Sequence, residues 1–417
     1  MIKLFRSPLS PLIIAILCAA VWSTATFVAP NRGTPWADEV QYHVPTIREF
    51  ANQFPRFDLV HYNAATTPGY HLALALVLKL TGSDAALRIA NACFAAGCLL
   101  AVMLACRSRV KWGWVFALAL LASPYFHYSA LWIRPDNASW MLVFILLALA
   151  SQPRFTVRKM LLAALVLVLL VLFRHVHLWA AAVLWAAAYL DEDGALLPSR
   201  PKLRRLGMMM TLTLPAFAMV AYFVRIWHGL VPPGFQTVSG ALPPGHSTWQ
   251  HEGPNWSVPM FIMALFGLIG SLFLPMIARR LRPVKMAMRP IACGIAIALP
   301  IALLVPSNWD ESHGRRSGLW NIAQQLPAPM DRSVLLVPLS LLGGAVLAWM
   351  LASLPRRARV IAIVTLLAFV AAQTANAMAW QKYYEPFVVG WLGLICAQLS
   401  RENDPLTPQS AADPQPH

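Results

Sequence analysis

The sequence predicts an all-α polytopic membrane protein of about twelve transmembrane helices, with juxtamembrane helices in its first outer loop. Of the 417 residues, 58% are hydrophobic and only 12% are charged, against about 25% charged residues in soluble domains. The mean hydropathy is +0.58, and apolar runs of roughly 20 residues, the length that crosses the hydrocarbon of a bilayer, recur along the chain. Together these observations exclude an ordinary soluble enzyme.

The predicted spans follow one another from the first apolar run to the last. They lie near residues 9–28, 85–106, 112–130, 137–151, 158–173, 176–190, 206–227, 258–278, 290–306, 332–352, 358–377 and 386–400. We expect residues 1–404 to form a single integral membrane domain, and the Pro-rich residues 405–417 to be a disordered cytoplasmic tail. The first run follows Lys3 and Arg6 and could be a cleaved signal peptide, but its length favours a retained helix.

The distribution of charge predicts the orientation of these spans. With the N-terminus inside, 21 of the 33 Lys and Arg fall in cytoplasmic segments, and 11 of the 17 Asp and Glu fall outside. This is the positive-inside pattern, so the basic charge is assigned to orientation and to anionic membrane lipids rather than to nucleic acid. A basic chain with few cysteines and no evident retention signal favours a bacterial inner membrane over the endoplasmic reticulum.

Three outer loops, residues 29–84, 228–257 and 307–331, are long enough to contribute to chemistry. In the first loop, apolar residues at helical spacing predict an amphipathic helix over Pro45–Phe54 that lies along the interface. The apolar run Tyr70–Leu80 would be only about 16 Å long as a helix. It is therefore too short to cross a membrane and should lie flat on, or re-enter, the outer face.

Two adjacent acids, Asp38 and Glu39, follow the first span. Carboxylates at a membrane boundary are costly unless they are solvated, paired or used in chemistry. A pair of solvated loop acids is the alternative interpretation. The density of polar and aromatic side chains over residues 38–69 favours a functional one.

The same residues carry a resemblance to a known family. The run Asp38–Ile47, Asp-Glu-Val-Gln-Tyr-His-Val-Pro-Thr-Ile, and the run Ala65–Tyr70, Ala-Thr-Thr-Pro-Gly-Tyr, resemble the first lumenal loop of the dolichyl-phosphate-glucose α-1,2-glucosyltransferases. The whole chain resembles the broader GT-C superfamily of polyprenyl-phosphate-sugar glycosyltransferases. A weaker match is Phe173–Trp179, Phe-Arg-His-Val-His-Leu-Trp, where the family has Arg-Gln-Thr-Asn-Ile-Val-Trp and only the Arg and the Trp persist.

The resemblance implies an inverting enzyme whose active site lies on the periplasmic or lumenal face. Such an enzyme moves a hexose, glucose in the family, from a polyprenyl phosphate sugar to an acceptor hydroxyl. The acceptor would be a lipid-linked glycan or a cell-envelope component. The resemblance also implies that Asp38 is the general base that takes the acceptor's proton, and that Glu39 orients Asp38 or the acceptor.

The departing phosphate needs positive charge or hydrogen-bond donors near the outer boundary. The candidate donor-binding residues are His43, Arg134, Asp136, Arg174, His175, His177, Arg315, Arg316, Lys382 and Tyr383. Arg134 and Asp136 could instead be an interfacial snorkelling pair, and residues 381–386 an aromatic interfacial belt. We expect no cofactor and no obligatory metal, since Glu39 and His43 alone make a weak cation site and cationic side chains could stabilise a monophosphate leaving group.

Two rival functions stay open at this point. A transporter or flippase of lipid-linked sugars would place ionisable residues near the middle of the membrane on broken helices, often in repeated halves. A polymer ligase of similar architecture would use a diphosphate-linked donor. The carboxylates of this chain are concentrated at the outer boundary instead, which favours the transferase.

Overall fold

The computed structural model describes residues 7, 9–29, 33–235, 254–304, 307, 318–375 and 380–401. Within these ranges every regular element is a helix, so the all-α prediction is confirmed there. The predicted tail 405–417, Arg315, Arg316 and much of the second and third predicted outer loops lie outside the described residues.

The described helices are numbered here in chain order. They are α1 Ser10–Val28, α2 Thr34–Asp38, α3 Val44–Gln53, α4 Gly69–Thr81, α5 Asp84–Arg107, α6 Pro124–Leu131, α7 Asp136–Ala150, α8 Val157–Phe173, α9 Ala180–Tyr189, α10 Arg200–Trp227, α11 Ser257–Ile277, α12 Val284–Leu304, α13 Leu319–Gln324, α14 Leu336–Ala352, α15 Arg356–Thr374 and α16 Glu385–Arg401. A π-helical turn, Glu39–His43, and the 3₁₀ segments Gly113–Ala122, His175–Trp179, Ala278–Arg280, Pro329–Asp331 and Gln381–Tyr383 join them.

Seven of the described helical segments are long and apolar enough to cross a membrane, so the chain is an integral membrane protein. These seven segments contain α1, α5, α10, α11, α12, α14 and α15, and a bent pair of helices adds an eighth if it is one span. The remaining runs predicted as spans form α7, α8, α9 and α16, which have 15, 17, 10 and 17 residues. Because these helices are shorter than a full crossing of roughly 20 residues, the predicted count of about twelve is not confirmed.

The predicted span near 112–130 is not one helix. The 3₁₀ segment Gly113–Ala122 and α6 meet at an angle of 76°. Pro124 lacks the backbone N–H that a continuous helix would need there, and the Ser123 hydroxyl accepts a hydrogen bond from Phe126 N at the start of α6. The break makes α6 a short helix that ends just before Arg134 and Asp136.

The segment between α1 and α5 has its own helices and its own apolar core. The predicted helix over Pro45–Phe54 is confirmed as α3, and the short apolar run that follows is confirmed as α4, with 13 residues. Gly82, with φ of 63°, ends α4 in the left-handed conformation that glycine tolerates best. Phe50, Tyr62 and Tyr70 are fully buried in one cluster, which packs together the stretch of chain that follows the predicted acid pair.

Helices α11 and α14 make the most extensive helix–helix contact in the described structure. A Cβ atom on Gly343 would lie 1.9 Å from the carbonyl oxygen of Met263, and one on Gly267 would lie 2.0 Å from that of Leu339. Small residues allow membrane helices to approach to backbone contact. This crossing therefore has no room for a methyl group.

We expect Gly343→Ala to destabilise the protein by about 1–3 kcal/mol, because the two backbones must move apart. Thermal unfolding in detergent measures the effect. Gly207→Ala on α10 is the matched control, since nothing lies within 4 Å of its Cβ position and alanine is the better helix former by about 1 kcal/mol. Equal melting temperatures for the two variants would contradict the close crossing.

Candidate functional site

Charged side chains from four separate stretches of the chain meet at one place. Asp38 ends α2, Arg134 and Asp136 flank the start of α7, Arg174 follows α8, and Lys382 lies in the turn before α16. These five side chains are only 6–14% exposed, and we call them the ion cluster. The structure thus brings together five residues that the sequence singled out separately.

The contacts within the ion cluster form a chain. Arg134 Nη2 lies 3.1 Å from Asp38 Oδ2, and Lys382 Nζ lies 3.5 Å from the same oxygen. Arg134 Nε lies 3.5 Å from Asp136 Oδ2, and Arg174 Nη1 pairs with Asp136 Oδ1. Arg134 therefore bridges the two carboxylates, and each carboxylate also contacts a second cation.

Local backbone structure places these side chains. Asp136 is the first residue of α7, where the helix dipole favours a negative charge. Arg174 is extended, with φ of −160° and ψ of 100°, between α8 and the 3₁₀ turn His175–Trp179. Because α8 ends at Phe173 and Arg174 is extended, the Arg174 guanidinium reaches the start of α7, where it pairs with Asp136.

The ion cluster has three cations and two carboxylates. Burial lowers the pKa of Lys382 well below its usual range, and Arg134 adds to the effect while Asp38 and Asp136 oppose it. The ammonium also lies 3.9 Å from the centre of the Trp380 ring. An anion placed in this cluster would face excess positive charge and would raise the Lys382 pKa again.

Tyr383 borders the cluster. The guanidinium carbon of Arg174 lies 4.8 Å from the centre of its ring. Burial raises the pKa of Tyr383 to about 12, although Arg174 opposes the shift. The phenol therefore keeps its proton at physiological pH and can act as a neutral hydrogen-bond donor.

Asp38 has one oxygen in the ion pairs and one outside them. Both of its salt bridges fall on Oδ2, and Oδ1 has no ion-pair partner among the residues that the structure describes. Its side chain is 14% exposed. A carboxylate that is held by one oxygen and free at the other can accept a proton without leaving its place.

Glu39 is in a different situation from its neighbour, because both of its carboxylate oxygens are occupied. Arg88 Nη2 lies 2.5 Å from Oε1, and the backbone N–H of Ile133 donates to Oε2 at 2.8 Å. The side chain is 2% exposed. Glu39 directly follows Asp38, and Ile133 directly precedes Arg134. Their hydrogen bond therefore holds the two stretches that carry Asp38 and Arg134 side by side.

Sequence reasoning missed two residues that support the site. Arg88 also donates to the Thr26 carbonyl and hydroxyl, both at 3.2 Å. Asn91 Nδ2 lies 3.0–3.2 Å from the carbonyl oxygens of Ser129, Ala130 and Trp132, which supplies a donor to carbonyls that the end of α6 leaves without helical partners. The available signal was an arginine and an asparagine inside the outer end of a predicted span, where polar groups are expensive.

The three predicted histidines lie in separate environments. His43 Nδ1 lies 3.0 Å from His71 Nε2, and burial, with a further contribution from Arg134, lowers the pKa of His43 to about 3. His43 is therefore neutral at physiological pH. His175 packs near Trp227, with ring centres 6.2 Å apart, and His177 packs against a tryptophan on α7.

Within the described ranges, no group of three or more His, Cys, Asp or Glu side chains is arranged to hold a metal ion. In particular, Glu39 contacts Arg88, and His43 contacts His71. The two predicted partners of a weak cation site are thus each engaged with other side chains.

Comparisons with known proteins give a limited result. No protein-family model matches the sequence, and no curated protein matches it. Two solved structures of ArnT from Cupriavidus metallidurans are similar to this chain.

The apo form of ArnT has 16% sequence identity to this chain and a TM-score of 0.41, and the match covers 93% of this chain and 77% of ArnT. The form bound to undecaprenyl phosphate has 18% identity and a TM-score of 0.42, covering 94% and 78%. Likenesses at these values assign neither an activity nor a ligand to this chain.

We expect Asp136→Asn to destabilise the protein by about 3 kcal/mol, because it leaves Arg134 and Arg174 buried without their shared carboxylate. Thermal unfolding in detergent measures the change. Asp84→Asn is the matched control, because Asp84 pairs with Arg48 where both side chains are more than half exposed and such pairs contribute little. If both variants melted like the wild type, the ion cluster would not be a buried network.

Proposed function

We propose that this chain is an inverting glycosyltransferase that moves a sugar from a polyprenyl phosphate donor to an acceptor hydroxyl. One observation carries the proposal. A carboxylate with an available oxygen, Asp38, is held by Arg134 and Lys382 inside a buried cluster with excess positive charge. A base beside an anion site is what such a transfer requires.

The reaction balances with these groups. The acceptor oxygen attacks the anomeric carbon of the donor and forms a new C–O bond, while the bond from that carbon to the phosphate oxygen breaks and its electron pair leaves with the phosphate. Asp38 Oδ1 accepts the hydroxyl proton and later releases it to solvent. Direct displacement inverts the anomeric centre, so a single base is sufficient.

The leaving lipid phosphate gains negative charge as this bond breaks. Arg134 and Arg174 have planar guanidinium groups that can bind phosphate oxygens in pairs, and Lys382 adds a point charge. The Tyr383 hydroxyl is a neutral donor beside them. Arg134, Arg174 and Lys382 each lie next to a carboxylate, so phosphate would compete with or extend these contacts.

Glu39 has a supporting role in this proposal. Its contacts with Arg88 and Ile133 are suited to orienting Asp38 against Arg134 rather than to proton transfer. His43, His175 and His177 would act as neutral groups around the donor. No metal takes part in the proposed mechanism, because three cationic side chains can stabilise a monophosphate leaving group.

The finer assignments depend on the sequence resemblance. They are membership of the GT-C superfamily, glucose or another hexose as the sugar, and a lipid-linked glycan or cell-envelope acceptor. They also include an outer-facing site, in a bacterial inner membrane rather than the endoplasmic reticulum. The departure at Phe173–Trp179, where only the Arg and the Trp of the family stretch persist, makes the sugar the assignment that most needs a direct test.

We expect Asp38→Asn to lower kcat by about 10²–10⁴-fold, the usual contribution of a general base, while the donor KM changes little. The measurement is transfer by purified protein from a panel of polyprenyl phosphate sugars. Asp58→Asn is the control, because Asp58 is an acid of the same segment with a 41% exposed side chain. A folded Asp38→Asn protein that transfers at the wild-type rate would refute the role of Asp38.

The same assay separates the rival functions. Movement of the donor lipid across a vesicle bilayer without sugar transfer would favour a flippase. Transfer only from a diphosphate-linked donor would favour a polymer ligase. Either result from wild-type protein would contradict the proposal.

Binding of undecaprenyl phosphate should weaken as the pH rises above neutral towards 10.5, the ordinary pKa of lysine, by up to about tenfold per pH unit. The phosphate is already doubly charged in this range, whereas Lys382, whose pKa burial lowers, loses the proton that attracts it. Lys382→Arg should flatten the profile, since arginine stays charged. A wild-type affinity that is independent of pH would contradict a charged Lys382 at the phosphate.

A further inference from the structure

A second group of buried polar atoms lies near the ion cluster. Trp140, His177 and Trp179 are 1%, 1% and 8% exposed. The indole nitrogens of both tryptophans and both ring nitrogens of His177 have no hydrogen-bond partner among the described residues. A buried polar group left without a partner is unfavourable, so four such atoms together indicate a missing partner.

The three rings are contiguous. The ring centres of Trp140 and His177 are 4.6 Å apart, and those of His177 and Trp179 are 6.4 Å apart. Phe387 lies 5.9 Å from Trp140 and 5.8 Å from Trp179. The group therefore combines unpartnered nitrogens with aromatic surface.

Chain geometry places this aromatic group one helical turn from the ion cluster. Trp140 is four residues after Asp136 on α7, so the two side chains share a face. The backbone N–H of His177 donates to the Arg174 carbonyl at 3.1 Å, so His177 follows Arg174 by a single 3₁₀-type turn. Asp136 and Arg174 are paired in the ion cluster. Both spacings therefore place the aromatic group about 5 Å deeper than the ion cluster. This distance is the scale of a single sugar ring.

We propose that Trp140, His177 and Trp179 form the binding subsite for the glycosyl group of the donor. The proposal rests on the function proposed above, with the phosphate in the ion cluster. Sugar hydroxyls accept hydrogen bonds from indole N–H groups and both donate to and accept from a neutral imidazole. The C–H face of a pyranose packs on aromatic rings.

The test compares three ligands that share one lipid phosphate and differ only in the sugar, which one of them lacks. Affinities for undecaprenyl phosphate, undecaprenyl phosphate-glucose and undecaprenyl phosphate-mannose are measured by calorimetry with full-length protein in nanodiscs. Trp140→Phe and Trp179→Phe keep the aromatic ring and remove the N–H donor. We expect each variant to bind at least one sugar-carrying lipid about 2- to 10-fold more weakly, and undecaprenyl phosphate within twofold of the wild type.

Trp185→Phe is the matched control, because the Trp185 indole donates to Thr213 Oγ1 at 3.0 Å. It should lower the melting temperature and leave all three affinities unchanged. Trp140→Phe and Trp179→Phe also shorten a buried ring and should lower the melting temperature, but they alone should change the preference for the sugar-carrying lipid. This difference separates a ligand contact from a structural one.

The outcomes are distinguishable. If sugar-carrying lipids and bare undecaprenyl phosphate weaken equally, or if neither weakens, the sugar subsite is refuted while the phosphate site stands. A drop in melting temperature with unchanged preference for the sugar would show that the two tryptophans act in packing alone, and would also refute it. Wild-type protein that binds none of the three lipids would overturn the proposed function and this inference with it.

Discussion

The site depends on one buried interaction, the guanidinium of Arg134 held between the carboxylates of Asp38 and Asp136. Taking such charges out of water is expensive, and only close pairing with further hydrogen bonds offsets the cost. The pairing therefore requires that two stretches, about a hundred residues apart in the sequence, keep their relative positions. The surrounding polar contacts can be understood as the means of keeping them there.

Two side chains on α5 do most of this positioning. Arg88 links Glu39 to the end of α1, and Asn91 binds carbonyl groups at the end of α6. The end of α6 at Leu131 makes those carbonyls available, since the last carbonyls of a helix have no partner within it. The end of α6, the buried asparagine and the placement of Arg134 are therefore parts of one arrangement.

Much of the architecture follows from local patterns in the sequence. Helical spacing of apolar residues predicted α3, and the shortness of the run after Gly69 predicted that α4 does not cross the membrane. The number of spans could not be obtained this way. A short apolar helix and a full span have the same local composition, and length decides between them only to within a few residues.

The site was predictable as a set of residues but not as a set of contacts. Charge at a membrane boundary singled out Asp38, Arg134 and Lys382 separately. Their contacts join positions about a hundred and about three hundred and forty residues apart in the chain, and no local spacing contains that information. Glu39 shows the same limit. It is an acid directly beside Asp38 in the sequence, yet both of its carboxylate oxygens are engaged, by Arg88 and by the backbone of Ile133.

The most direct test of this account is a cryo-electron microscopy structure of Asp38→Asn protein with undecaprenyl phosphate-glucose, in which the substitution slows turnover. The account predicts phosphate density within hydrogen-bonding distance of Arg134 and Arg174, with the anomeric carbon facing residue 38. Donor density that is well ordered elsewhere, with the ion cluster unchanged and closed, would contradict it.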